Sequence, residues 1–273
     1  MITGYSNTIS VTTSAPSLLL DLYPSAAAAY SVRKLRSAYT GSAIQVRRSS
    51  NNDVLNIGFD ALGNLDTSAL TSFCAGTNGF VTTWYDQSGN GNNATQSTAA
   101  NQPQIVSSGS VINVNGKPSL RFDGTNDEFS LSSTITTSIY SNFVVLKKTG
   151  TGTIVIPSGL ANGQLTGAWS DGNLYENNGS TFVSVSYTND TNQNLFSVIK
   201  NGNTLSDFSA TQNASTLGSY TGTPFVSITT DRLGARSGTY SDGNLQEIVL
   251  YSSNESSNRT GIRTNINTYY AIY

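Results

Sequence analysis

WYDQSGNGNNATQ, residues 84–96, sets an aromatic pair, one carboxylate, two glycines and a run of amides side by side, and such a stretch is a metal loop, a sugar site or a tight turn. Asp86, Ser88, Asn90 and Gly91 fall on positions 1, 3, 5 and 6 of a calcium loop, but position 12 is Ser97, where a bidentate glutamate is needed. In the turn reading, Asp86 accepts backbone N–H groups, the glycines take positive φ, and Trp84 and Tyr85 alternate across a sheet. The preceding GFVTT has strand character. The stretch is therefore read first as a strand running into a glycine-rich turn, with calcium at Asp86, Ser88 and Asn90 as the weaker alternative.

Downstream, the chain is a succession of short segments between Gly, Asn and Asp turns: PQIV, VINVN, PSLRFDG, EFSLS, SNFVVLKK, GTIVIP, TFVSVSYTN, NLFSVIKNG and LQEIVLY. Regular spacing of this kind predicts a β-sandwich. Upstream, SAAAAYSVRKLRSAYTG (25–41) carries Ala28, Val32, Leu35 and Tyr39 at helical spacing between a serine and a glycine, which predicts an amphipathic helix. AIQVRR (43–48) alternates like a strand, a second helix is expected from Asp66 or Thr67 to Gly76, and Ile262, Ile266, Tyr269 and Tyr270 predict a last helix against the sandwich. Residues 1–24, Ser/Thr-rich and closed by Pro24, read as an extended arm able to dock elsewhere, and 25–273 as one domain.

Charged residues make up 11% of the 273, so the surface is polar without being ionic. A net charge of −2 and the lack of a Lys/Arg block exclude a nucleic-acid footprint. Arg33, Lys34, Arg36, Arg47 and Arg48 are read as a solvated face. The chain has no histidine and one cysteine, Cys74, on an apolar helical face. Disulfides, zinc chemistry and histidine-dependent triads are thereby excluded, and no cofactor is expected. The triple leucine at 18–20 is the longest apolar run near the N-terminus, which predicts neither a signal peptide nor membrane insertion. GAWSDGNLYEN (167–177) and GTYSDGNLQEI (238–248) echo each other, and Asp-Gly between aromatic or apolar runs predicts a turn-and-strand unit in each.

AYSVRKLRSAYTGSAIQVRRSS (29–50) followed by GFVTTWYDQSGNGNNATQ (79–96) resembles the amino-terminal part of the α-L-arabinofuranosidase B catalytic domain. NGKPSLRFDGTNDEF, LFSVIKNG and RLGARSGTYSDGNLQEIVLYSSNES are similar to segments of concanavalin A-like, laminin G-like sandwiches. The resemblance implies a mainly β fold, a concanavalin A-like antiparallel β-sandwich (jelly roll) with a few short helices. It also implies a retaining glycosidase with a mid-domain glutamate nucleophile and an acid/base aspartate in a glycine-rich turn before the final strands. Retention needs two carboxyl groups about 5–5.5 Å apart, one ionised and one protonated. In LGARSGTY the expected aspartate position holds Arg236 or Ser237, and an arginine does not give up its proton near neutral pH.

For an enzyme, the carboxylates left are Asp171 or Glu176 with Asp242 or Glu247, although Glu247 can also be read as alternating outward on a late strand. For sugar binding, Trp169, Asp171, Tyr175, Tyr240 and Asp242 supply aromatic faces and hydroxyl partners. Large, low-charge, Thr/Asn/Gly-rich β proteins with an extended arm also resemble phage virion surface proteins. The function expected is thus a non-enzymatic head fibre, tail fibre or capsid decoration protein on the virion surface, bound to other virion proteins through its arm and adhering to a cell-surface glycan as a homo-oligomer. A retaining arabinofuranoside hydrolase is the alternative.

Overall fold

The computed structural model describes residues 17–150, 152–158 and 163–273. The fold is the expected antiparallel β-sandwich with three short helices. Its organising strand is Asp242–Tyr251, which pairs on one edge with Ala28–Ser31 and Leu120–Asp123 and on the other with Tyr140–Lys148. That sheet continues through Gln193–Lys200 to Phe208–Gln212. The facing layer runs from Ile44–Arg48 and Gly79–Trp84 through Phe129–Thr137 and Ile228–Leu233 to the meander Ile154–Ser158, Gly163–Ala168, Asn173–Asn178 and Phe182–Ser186. Trp84 joins the layers: it is fully buried, with ring centroids 5.8 Å from Tyr30 and 6.5 Å from Phe129.

The helix expected over 25–41 does not form. Ala28–Ser31 is a strand buried at every position, and Ser25, the expected N-cap, has φ 70°. The loop after Trp84 takes this segment's backbone groups. Asp86 Oδ1 accepts from Ala29 N–H at 2.9 Å, and Gln87 N–H donates to the Ala29 carbonyl at 2.8 Å. The Gln87 amide donates to the carbonyls of Ser31 and Arg33 and accepts from Leu35 N–H, while Asn90 donates to the carbonyls of Ala26 and Ala27. Each pairing supplies what a helical turn would have supplied locally, so tertiary partners override the alanine-rich propensity.

The segment 1–24 is corrected in its described part. α1, Leu19–Leu22, is a helical turn with Leu19 and Leu20 in the core, and the Tyr251 hydroxyl donates to the Tyr23 carbonyl at 2.8 Å. The rest of the expected arm, 1–16, lies outside the described residues. α2, Thr67–Phe73, starts where Asp66 accepts from Ala69 N–H at 2.9 Å, and α3, Arg259–Tyr270, lays Ile262, Ile266 and Tyr270 on the sandwich.

Two further expectations fail for one reason. Arg33 is not on a solvated face, and Glu247 does not point outward. Both are buried, and Glu247 takes two hydrogen bonds from the Arg33 guanidinium, at 2.8 and 2.9 Å, and one from Ser31 Oγ at 2.7 Å. A strand flanked on both edges and covered by α3 has no outward face at that position. Likewise, Asp242–Gly243 forms no hairpin turn, because it lies inside the long strand opposite Asp123 and Phe122.

Candidate functional site

The meander contributes the chemistry. Between Gly163–Ala168 and Asn173–Asn178 the chain turns at 169–172, with Gly172 at φ 80°, and the carboxylate of Asp171 accepts from Asn173 N–H at 2.9 Å. Alternation along Asn173–Asn178 then sends Tyr175 and Asn177 to one face and Leu174 and Glu176 to the other. Register with the next strand sets Phe182 opposite Asn177. The result is a cleft of ≈ 320 Å³ lined by Trp169, Asp171, Tyr175, Asn177, Phe182 and Arg236.

Its walls are aromatic. Tyr175 lies edge-on between Trp169, at 5.8 Å between centroids, and Phe182, at 5.6 Å, and Phe182 is 52% exposed, which a strand tolerates only at a cost in hydration. The Arg236 guanidinium sits 5.8 Å from the Trp169 ring. Asp171 is the one carboxylate among the described residues of the lining. Burial pushes its pKa up, but the Tyr175 hydroxyl, donating at 2.8 Å, and Asn173 outweigh this and hold it below the usual carboxylate value. An ionised carboxylate, a planar amide and three aromatic faces match the alternating polar and apolar surface of a sugar.

Of the residues singled out in the sequence, Trp169, Asp171 and Tyr175 come together here. Glu176 belongs to the other face of its strand: it is fully buried, takes a hydrogen bond from the Tyr140 hydroxyl with Tyr220 alongside, and desolvation raises its pKa to about 8. Glu247 is committed to Arg33. Tyr240 pairs with Ala235 beside the cleft and is not in its lining. Asp242 also stands outside the lining. Burial and the neighbouring Asp123 raise its pKa against the opposing pull of Lys148. Lys148 is within electrostatic reach of both Asp171 and Asp242. Arg236 and Ser237 occupy a tight turn, with Ser237 at φ 41° and Gly238 at φ 80°.

Asn177 and Phe182 were not anticipated, although strand alternation from Tyr175 and the short turn after Asn178 carried the signal. At the loop 86–92, the Asp86 carboxylate accepts from Ala29 N–H, Ser88 N–H, the Ser88 hydroxyl and Asn92 N–H, at 2.7–3.0 Å. Its lone-pair directions are thus filled by protein donors, and Gly89 and Gly91 take φ of 97° and 71°. A roomier groove, of ≈ 460 Å³, lies between α1, α3 and the loop 62–63, but among the described residues Arg33 and Lys34 are its only charged side chains and none of its lining is a carboxylate.

The family model described as Alpha-L-arabinofuranosidase B, catalytic, matches residues 21–119. The similarity is to a glycoside hydrolase. The α-L-arabinofuranosidase B of Aspergillus oryzae is 45% identical over 74 residues, which is 27% of this chain and 15% of that protein. The α-L-arabinofuranosidase of Hypocrea jecorina is 44% identical over 73 residues, again 27% and 15%. The chain thus aligns with only a small part of the relatives' length. A crystal structure of arabinofuranosidase complexed with arabinofuranosyl-α-1,2-xylobiose superposes with a TM-score of 0.63 at 17% identity, over 93% of this chain and 64% of that one. A GH54 α-L-arabinofuranosidase soaked with a cyclic sulfate inhibitor gives 0.63 at 18%, over 93% and 65%. At this identity the structural likeness establishes the fold.

These matches overturn the expectation of a phage virion surface protein, whether head fibre, tail fibre or capsid decoration. That expectation rested on composition, and a low-charge Thr/Asn/Gly-rich surface suits a β-sandwich of any function. Among the described residues, no helix is long and apolar enough to cross a membrane.

Proposed function

We propose that this chain is a glycoside hydrolase-type sandwich directed at arabinofuranosyl groups, with the cleft at Trp169, Asp171 and Tyr175 as its sugar face. The observation that carries the reading is the cleft itself: an ionised carboxylate between aromatic walls, on a sandwich similar to arabinofuranosidases and behind an amino-terminal third that matches their catalytic family model. In a retaining displacement, Asp171 attacks the anomeric carbon while a protonated carboxyl delivers its proton to the departing oxygen, and water then releases the sugar. Asp242 is the carboxyl proposed for the protonated role: it stands outside the cleft lining, on the strand beside Lys148, and burial and Asp123 move its pKa up while that of Asp171 is moved down.

The test is release of nitrophenol from 4-nitrophenyl α-L-arabinofuranoside. Asp171→Asn and Asp242→Asn should each lower kcat/KM by roughly a hundred- to ten-thousand-fold. Full activity in Asp242→Asn breaks the pairing, and an inactive wild type removes hydrolysis.

Arg236 favours a second reading, recognition of the same sugar without turnover. The position where the resemblance implies the acid/base aspartate holds Arg236 or Ser237, and a guanidinium near Trp169 holds a sugar better than it protonates one. Calorimetric binding of an arabino-oligosaccharide by an inactive wild type, weakened about 10- to 100-fold in Trp169→Ala, would separate this reading from hydrolysis.

A further inference from the structure

Lys148 ends the strand Tyr140–Lys148 and is 2% exposed. Burying an ammonium is costly unless its protons find acceptors, and here all three do. Nζ donates to Asn189 Oδ1 at 2.8 Å, to the Tyr187 hydroxyl at 2.9 Å and to the Trp169 carbonyl at 3.3 Å. The partners then converge on one turn. The Tyr187 hydroxyl in turn donates to the same Trp169 carbonyl at 2.8 Å, the Asn189 amide donates to the Ser170 carbonyl at 2.9 Å, and Tyr187 N–H donates to the Gly172 carbonyl at 3.0 Å. This turn, 169–172, is the one that brings Trp169 and Asp171 to the cleft.

We propose that Lys148 is a positioning residue for the cleft: its ammonium fixes the turn 169–172, and through it the Trp169 ring and the Asp171 carboxylate. The lysine touches none of the cleft's open space and acts through carbonyls and relays. An apolar side chain of the same length would fill the site without desolvating a charge, yet would leave Trp169, Tyr187 and Asn189 without their common donor. The charges facing Lys148 come from three elements, Asp171 on the turn, Asp190 in the loop after Phe182–Ser186 and Asp242 on the organising strand. They oppose the downward pull of burial on its pKa. The Tyr187 ring lies 5.6 Å below the ammonium.

The inference depends on the proposed sugar face only in its binding measurement. The chain has two tryptophans, and Trp84 is fully buried while Trp169 is partly exposed, so acrylamide quenching reads the environment of Trp169. Lys148→Met is expected to raise the quenching constant about twofold and to weaken arabino-oligosaccharide binding about tenfold, with the melting temperature lowered as well, because the Trp169, Tyr187 and Asn189 acceptors lose their common donor. Tyr187→Phe, which keeps the ring against Phe196 at 5.5 Å and removes only the relay, should move both readouts in the same direction by less. Unchanged quenching in folded Lys148→Met, or a drop in melting temperature with Trp169 unmoved, overturns the inference and makes Lys148 a packing residue. Should Lys148→Met fail to fold, unchanged quenching in Tyr187→Phe overturns it instead. A wild type that binds no arabino-oligosaccharide while Lys148→Met loosens Trp169 upholds Lys148 and removes only the sugar reading.

Discussion

In the loop 86–92 an aspartate accepts four hydrogen bonds and is 3% exposed, and in the turn 169–172 another aspartate accepts from one backbone N–H and one tyrosine hydroxyl and faces a cleft. Both begin as the same local device, a carboxylate bonded to the N–H two residues on. They differ in what lies across from them. Asp86 meets the strand Ala28–Ser31 and accepts from its Ala29 N–H, so its lone pairs are spent on holding two layers together. Asp171 meets solvent and aromatic rings, so its charge stays available to a ligand. Identical turn chemistry is spent inside the fold in one place and left open at a cleft in the other because burial, and not residue type, decides how many acceptor sites remain.

Asp86→Ala is the sharpest way to break this comparison. It strands the N–H groups of Ala29, Ser88 and Asn92, two of them in buried surroundings, and should cost about 3–5 kcal/mol in urea unfolding. A loss below about 1 kcal/mol would mean the loop does not join the layers as described.

The next effect sets the two faces of one strand against each other, Tyr175 toward the cleft and Glu176 toward the core. Glu176 has its pKa raised from 4.5 to about 8 by burial. Above pH 4.5 the unfolded chain gives up this proton while the folded chain keeps it, so the folded state loses stability as pH rises from about 4.5 to about 8, and the decline levels off beyond. Glu176→Gln should flatten that limb of the stability profile, and an unchanged profile would show that the carboxyl is not buried as a neutral acid.

The smallest effect expected is on stability at the cleft. Asp171→Asn keeps an acceptor for Asn173 N–H and should shift unfolding by less than about 0.5 kcal/mol, as is usual for a surface change. A larger loss would move Asp171 into the structural class beside Asp86.

Much of the cleft is legible in the sequence. The hairpin over 167–177 is marked by Asp171-Gly172 between apolar runs, and alternation alone separates Tyr175 and Asn177 from Glu176, so the strand's own period sets Glu176 apart from the cleft. The second Asp-Gly, at 242–243, has the same local sequence and a different outcome, since it is enclosed by strands on both edges. Lys148 carried no local signal: a lysine closing NFVVLKK looks like the usual charged end of a strand, and its acceptors come from residues 21 to 41 positions away.

The sequence by itself determined the alternating strands, the turns, helices α2 and α3, and an uncharged polar surface, because period, capping and composition act over a few residues. Only the tertiary structure decided that an alanine-rich segment becomes a buried strand, that Glu247 and Arg33 pair inside, and that Asp171 rather than Asp86 faces a cleft. Each of those outcomes depends on which distant group satisfies a backbone N–H, a carbonyl or a charge, and no local pattern carries that information.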